Sequence, residues 1–597
     1  MKIIQYIVVL IFAVAITGCF LFPDTTPPEP GNDGTIITQK LSVTEVQVSW
    51  TAAVDNRSDT ADLEYRVYYT IEGTLDSIEA VEQHGTAFGT WTTSTTEDVT
   101  GLEPGNTYIL TVLVRDESEN MALYNSASIT LRADAISFTA EKQYYHLTSA
   151  ANEFSLTIDL GSEEKDVYFI FSNTEAAETD LPEVTSSRFS KKIETGSVKS
   201  TQFQPQPAAL RGNPEITEFN ASPPPFGDKQ TKSILPKAIS DSVGEKKTFY
   251  DWDGSNKTAI PSTCVSVVSA DTIYGDKTLS IWVADDYWDG SESPRVTQTM
   301  VDAMAGKFLQ AGLENDIYDW VTAIFGEEWG PHDEANLIPE NDNITILLYD
   351  ISNDYAPDQG GIVGFFWAKD NYFRSAADSG SITSSNERIM FYIDAPLYAT
   401  VRQDEGDWDI TDDWPQEIIS TLAHEFHHMI HFYQKAVLQT GSSGGEAWLQ
   451  EMLSMATEDL LSDKLQVTGP RGVDYTDGTA GSPGITRGRL PLYNYLNDTP
   501  MLSWPGYTSD VVLSYYSLNY AFGAYLTRNF GGAKLMGDIV QNEHIDEQAL
   551  ITALSKNGYD YTFPDLMTRW TAANLLSDQT GLDEGYRYNR GDWFQSK

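Results

Sequence analysis

Four of the eight histidines in this 597-residue chain fall between His424 and His431, and two of them carry a spacing that chemistry can use. In His424-Glu425-Phe426-His427-His428 a helix would set His424 and His428 one turn apart on one face, so both imidazoles can bind a single metal ion. Glu425, one residue on, can reach a water at that ion without binding the ion itself. This H-E-x-x-H arrangement suits hydrolysis by a metal-activated water, with Glu425 as general base. His427 points off the metal face and His431 lies a turn beyond it, so both are expected to support the site without binding metal.

A third protein ligand would leave one coordination position open for water. Glu451 is the expected donor. It sits within a stretch of helical apolar spacing (Trp448, Leu449, Met452, Leu453, Met455), where an unpaired carboxylate would be costly and a metal would neutralise it. Glu446 is the alternative, and Glu458, two turns after Glu451, reads as part of a solvated face.

The elements that must hold these residues are legible around them. Asp412 and Asp413 can cap a helix, Pro415 suits its first turn, and Glu417 favours the positive end of its dipole. Ile418, Ile419, Leu422, Phe426, Met429 and Ile430 form an apolar flank at helical spacing. The Gly/Ser run 441–445 then separates this helix from the one bearing Glu451. Upstream, Leu279–Ala284, Ile344–Tyr349 and Arg388–Asp394 read as strands and Val296–Leu309 as a helix. Downstream, Tyr515–Phe530, His544–Asn557 and Phe563–Leu576 read as helices.

His424-Glu425-x-x-His428 followed by Trp448-Leu449-Gln450-Glu451-Met452-Leu453-Ser454 resembles the gluzincin metallopeptidases, in particular the hyicolysin-like branch, over about residues 245–597. The resemblance implies one catalytic zinc, protein or peptide substrates, and an edge strand that pairs with extended substrate, for which Arg388–Asp394 and Gly360–Phe366 are the candidates. It also implies an oxyanion donor from a later helix. Tyr516-Ser517-Leu518-Asn519-Tyr520-Ala521-Phe522 resembles that helix and offers Tyr516, with Tyr515 and Tyr520 beside it. One departure stands out: thermolysin-type enzymes carry aspartate where this chain has Met455, so whatever orients the histidines must come from elsewhere.

The rest of the chain is acidic, with Lys+Arg 38 against Asp+Glu 87 and a net charge of −49, which disfavours nucleic-acid partners. Acidic loops such as Asp285–Asp289 could bind calcium, although none has EF-hand spacing. Residues 1–19 read as a signal peptide: Lys2, an apolar run too short to span a bilayer, then Ile16-Thr17-Gly18-Cys19, which resembles a bacterial lipobox. Lipidation of Cys19 would anchor the chain at the cell envelope, periplasmic or at the cell surface. Lipidated Cys19 leaves Cys264, the only other cysteine, without a disulfide partner. Cys264 reads as a buried strand residue, with a thiolate cap on the zinc as the alternative.

Residues 20–34 are a Pro-rich tether. Trp50, the Gly101–Tyr108 corner and a closing strand at 128–131 make residues 25–134 resemble a fibronectin type III sandwich. Residues 136–183 suggest an accessory β domain. Residues 184–244, rich in Pro, Ser and Lys, read as a disordered linker that could be a processing site.

The expected architecture is therefore multidomain: all-β sandwich modules, then an α+β zincin-like metallopeptidase domain over 245–597 whose C-terminal part is mainly helical. The expected function is a membrane-anchored, surface-exposed zinc endopeptidase acting on extracellular proteins. A zinc aminopeptidase, an adhesion lipoprotein with an inactive peptidase fold and a zinc-storage lipoprotein are the alternatives.

Overall fold

The computed structural model describes residues 24–131, scattered residues between 136 and 174, and 208–588, less 43, 104–105, 229–238, 313–314, 356–359, 402–405, 472–488, 490–492, 494–498, 505–508 and 577–581. Cys19 and its lipobox therefore lie outside the described residues, as do most of 136–183 and all of 184–207. The chain divides into two units, Met1–Tyr168 and Phe169–Lys597.

Alternation of apolar and polar residues builds the first unit into antiparallel sheets. Ile36–Lys40, Val46–Trp50 and Thr96–Val99 form one sheet, and a second is centred on Thr107–Arg115, which pairs with Glu64–Thr70, Met121–Leu123 and Ala127–Thr130. Val46, Val48, Val67, Leu110, Val112 and Val114 point into the core, and Trp50 packs there on Tyr65, with ring centroids 5.6 Å apart. The expected corner is present: the Tyr108 hydroxyl accepts from the Glu103 amide at 2.6 Å. Within 136–183 the described residues include one parallel pairing, Ile136–Ser137 with Ile158–Asp159.

The second unit begins earlier than the sequence suggests. Strand β1 (Ala208–Leu210) and helix α1 (Pro214–Ala221) fall inside the stretch expected to be a disordered linker, and Ala209, Leu210, Ile216 and Phe226 are buried in the main core. A few apolar side chains are enough to order this segment because they complete a core supplied by the rest of the unit, which segment composition does not reveal. Asn213 caps α1 by accepting from the Ile216 amide, with Pro214 in the first turn.

A six-stranded mixed sheet follows. Its strands are β2 (Lys246–Trp252), β3 (Lys257–Thr272), β4 (Gly275–Ala284), β5 (Asn343–Tyr349), β7 (Gly364–Phe366) and β8 (Ile389–Asp394), in the spatial order β2-β3-β4-β5-β8-β7. A short strand, β6 (Gly360–Ile362), pairs in parallel with β1. Of the two edge-strand candidates, Ile389–Asp394 is interior, flanked by β5 and β7, while β7 holds the edge.

Helices α2 (Gln298–Phe308) and α3 (Ile317–Phe325) pack with the sheet around the metal-site helix α4 (Asp413–His431), whose Phe426 lies against Phe308 and Tyr318. Helix α4 runs on into a wider-wound turn, Phe432–Thr440, which Gly441 ends in the left-handed region at φ 71°. Helix α5 (Ala447–Leu465) then lies between α4 and α6 (Ser509–Asn529) and is buried on nearly every side from Trp448 to Asp459. Phe563–Leu576 is helical as expected, and His544–Asn557 is helical over Glu547–Lys556.

Candidate metal centre

Helix α4 sits close against the edge of the sheet. A side chain at Gly364 would come within 2.8 Å of Thr421 and 2.9 Å of the Tyr392 carbonyl, so glycine there lets α4 approach β7. The approach places the Phe366 amide 2.7 Å from Glu425 Oε2, to which it donates. The other carboxylate oxygen, Oε1, is buried and has no hydrogen-bond partner. Burial raises the Glu425 pKa, against the pull of His424, His428 and Arg211.

His424 and His428 project from one face of α4, with their Nε2 atoms 3.1 Å apart. Glu451, from the facing side of α5, brings Oε2 to 3.2 Å from His424 Nε2 and Oε1 to 3.5 Å from His428 Nε2. Ligands about 2.1 Å from a tetrahedral ion would be about 3.4 Å apart, so these separations fit a zinc-sized ion. The donor set, two imidazoles and a carboxylate, fits zinc as well. Glu451 Oε2 is buried without a hydrogen-bond donor, an arrangement that a cation would relieve. Burial works to raise the Glu451 carboxyl, yet the two histidines hold it down at about 2.

The side chain behind His424 comes from an unexpected place. Glu458 is 2% exposed, and its Oε1 accepts from His424 Nδ1 at 2.7 Å, which fixes the tautomer that leaves Nε2 free for a metal. Ser420 Oγ and Arg211 Nη2 donate to the same carboxylate. Against burial, Arg211 and His424 keep Glu458 well below the usual carboxylate range. Burial also works to lower the His424 pKa, but Glu425, Glu451 and Glu458 outweigh it and hold the ring at about 9. Glu458 thus takes up the orienting role left open by Met455. Its position two turns beyond Glu451 suggests a solvated face, but Ser420 and His424 of α4 and the side chain of Arg211 cover that side of α5.

His427 and His431 do not join the ligand group. His427 Nδ1 lies 2.7 Å from Ser454 Oγ, and His431 Nε2 donates to the Gly444 carbonyl at 2.7 Å. Burial lowers both pKa values, that of His431 to about 3, so both rings are neutral. Ser454 Oγ also stands 3.2 Å from His428 Nε2. Glu446 is spent on a bond from the Trp448 indole, so Glu451 and not Glu446 meets the histidines.

One expectation needs correcting. Tyr516 is buried, with its hydroxyl donating to the Arg211 carbonyl at 3.4 Å, and it does not line the cavity at the metal site. Its neighbours fare no better, since Tyr520 donates to Asp459 and Tyr515 meets Ser503. Cys264 is the buried strand residue expected and not the alternative zinc cap: its Sγ donates to the Ser266 carbonyl on β3, and burial pushes the thiol up to about 12. In the Asp285–Asp289 loop, Lys246 reaches both Asp285 and Asp289. Among the described residues, carboxylates converge away from the histidines in two places, at Asp350, Asp354 and Asp394 and at Asp24, Asp55 and Asp116.

Two residues absent from the sequence reading line the cavity. Arg211 pairs through Nη2 with Glu417 at 2.8 Å and with Glu458 at 3.3 Å. Asn220 bridges the free edge beside β7, donating to the Phe366 carbonyl at 2.7 Å and accepting from the Ala368 amide at 2.9 Å. The one available signal was the basic character of the 184–244 stretch. The cavity, of about 10 Å³, is bounded by these two residues, Ile216, Phe366, Gln450, Glu425, His428 and Glu451, and has room for about one water.

Fold and site together define a domain of the metallopeptidase class, with its histidine pair on one helix and its glutamate on the next. The chain belongs to the peptidase M30 family, whose model matches residues 256–588. It is 26% identical over 312 residues to the neutral metalloprotease ShpI of Staphylococcus hyicus. That match covers 52% of this chain and 59% of the relative, so the chain spans less than two-thirds of the relative's length. Solved structures similar to part of the chain include the third fibronectin III domain of human KIAA0343 (22% identity, 18% of this chain and 86% of that one, TM-score 0.14). Another is the fn3 domain of human contactin 1 (15% identity, 20% of this chain and 92% of that one, TM-score 0.15).

Proposed function

We propose that the second unit is a zinc-dependent endopeptidase in which His424, His428 and Glu451 hold the ion and Glu425 is the general base. One observation carries this reading: three lone-pair donors converge at tetrahedral separations beside a buried carboxylate oxygen that has no other partner. A zinc ion held there supplies Lewis acidity, lowering the pKa of a coordinated water toward about 7 and polarising the scissile carbonyl.

The protein's own groups do the remaining work. Glu425 keeps Oε2 on the Phe366 amide, which aims Oε1 at the water whose proton it takes and then passes to the departing amine. Glu458 fixes the tautomer and orientation of His424, and Ser454 holds His427 beside the site.

Cleavage within polypeptides is the reading we adopt, with an aminopeptidase as the alternative; among the described residues the carboxylates lining the cavity are Glu425 and Glu451, and the reaction itself employs both. Anchoring at the bacterial cell envelope through lipidated Cys19, with extracellular proteins as substrates, rests on Ile16-Thr17-Gly18-Cys19 alone.

The decisive experiment measures zinc content and digestion of an unfolded protein for the full chain and for Glu425→Gln. Wild type should bind zinc and digest; Glu425→Gln should keep the zinc and lose at least about 100-fold in rate. A variant that digests as fast as wild type refutes the assignment. Comparing a blocked internal peptide with an unblocked aminoacyl amide separates endopeptidase from aminopeptidase.

A further inference from the structure

We propose that Arg211 is a catalytic residue of this centre, with one of its two unpartnered guanidinium nitrogens, Nε or Nη1, donating to the scissile carbonyl oxygen as it becomes negative. The inference rests on the endopeptidase reading and gives the oxyanion role to a residue that precedes the family-matched region.

The geometry has three parts. First, the backbone of Arg211 is fixed. Strand β1 pairs with β6, the Leu210 carbonyl accepts from the Val363 amide at 2.9 Å, Arg489 donates to the Ala209 carbonyl, and Tyr516 donates to that of Arg211. Gly212, at φ 95°, then turns the chain into α1. Second, one side of the guanidinium is tied down, because Nη2 alone makes the contacts to Glu417 and Glu458. Third, Nε and Nη1 are buried without any hydrogen-bond partner, in a side chain that is 1% exposed and lines the same cavity as Glu425, His428 and Glu451.

Two unpartnered nitrogens on a buried cation are costly, and are a recurrent sign of a site that awaits an acceptor. The acceptor that belongs in this cavity is the substrate's carbonyl oxygen. As the oxygen of water bonds to the carbonyl carbon, the π pair moves onto that oxygen and Glu425 takes the water's proton. When the C–N bond breaks, the pair returns to re-form the carbonyl and the amine leaves with the proton. Arg211 would face the charge only while it is present, which makes its contribution one of rate more than of substrate affinity.

The test uses the full chain, a blocked internal peptide, and Arg211→Lys and Arg211→Ala beside wild type, reading kcat and KM separately together with zinc content and melting temperature. Lysine can still pair with Glu417 and Glu458 but cannot present a second face to the substrate. Both variants should lose about 100-fold or more in kcat with KM within about threefold and zinc retained. Free guanidinium ion should restore part of the kcat of Arg211→Ala. The proposal is overturned if Arg211→Lys keeps wild-type kcat, or if activity is lost only in step with zinc, which would make Arg211 a support for Glu458. A rise in activity in Arg211→Ala would also overturn it and mark the 208–221 segment as a block on the cleft. Absence of hydrolysis by wild type removes the endopeptidase reading itself, a result distinct from all of these.

Discussion

The imidazole of His424 and the carboxylate of Glu458 meet at 2.7 Å, Nδ1 to Oε1, across the interface of two helices and 34 positions apart in the chain. The contact sets which nitrogen of His424 is free for a metal and makes that nitrogen more basic. Glu458→Gln removes the charge while keeping the shape. Zinc affinity should drop about 10- to 100-fold, as read by competition with a chromophoric chelator. Affinity equal to that of wild type would mean that Glu458 serves only Arg211 and Ser420.

Glu451 predicts a coupling between metal and stability. An ion bound only by the folded chain stabilises it, by about 4 kcal/mol when free zinc is near 1,000 times the dissociation constant. The melting temperature of wild type should therefore fall when a chelator is added, whereas Glu451→Ala should have lost its zinc and show no chelator effect. Equal shifts in both proteins would place the metal elsewhere.

Tyr516→Phe separates the residue suggested by resemblance from the one suggested by geometry. Removing an oxyanion donor costs about 100- to 1,000-fold in kcat. The Tyr516 hydroxyl instead donates to the Arg211 carbonyl, so its loss should cost about 1 kcal/mol of stability and less than about tenfold in kcat. A loss approaching that of an oxyanion donor would restore Tyr516 to the mechanism.

Asp316 supplies a pH test away from the metal. It caps α3, accepting from the Asp319 amide at 3.0 Å and the Gln310 amide at 2.6 Å, and burial pushes its pKa up to about 7. Because the folded form holds the proton more tightly, this group's stability contribution is fully present below the usual carboxylate pKa near 4 and is lost as pH rises through about 7. Asp316→Asn cannot titrate and gives up the bond to Gln310. Its melting temperature should lie below that of wild type at pH 4 and gain on it by pH 8. A difference that stays constant with pH would show that Asp316 does not titrate in this window.

The amino-acid sequence by itself determined what is local. His424, Glu425 and His428 lie within one and a half helical turns, so backbone geometry alone sets them on one face, and the apolar flank from Ile418 to Ile430 makes that stretch a helix in any compact setting. Glu451 was legible because a carboxylate amid Trp448, Leu449 and Met452 needs a partner. The strands around Trp50 and Tyr108 were legible because alternation with period two has one reading. Tertiary structure alone decided the rest. Helix α5 is covered by α4 on one side and α6 on another, so the rule that polar residues face solvent fails at Glu458, and no pattern within the helix signals it. Arg211 reaches Glu458 from 247 positions away, out of a Pro-rich stretch whose few apolar residues gain their stability from a core built elsewhere in the chain. Periodicity encodes contacts a few residues apart; a pairing of distant charges is settled only when the whole unit packs and water is excluded from between them.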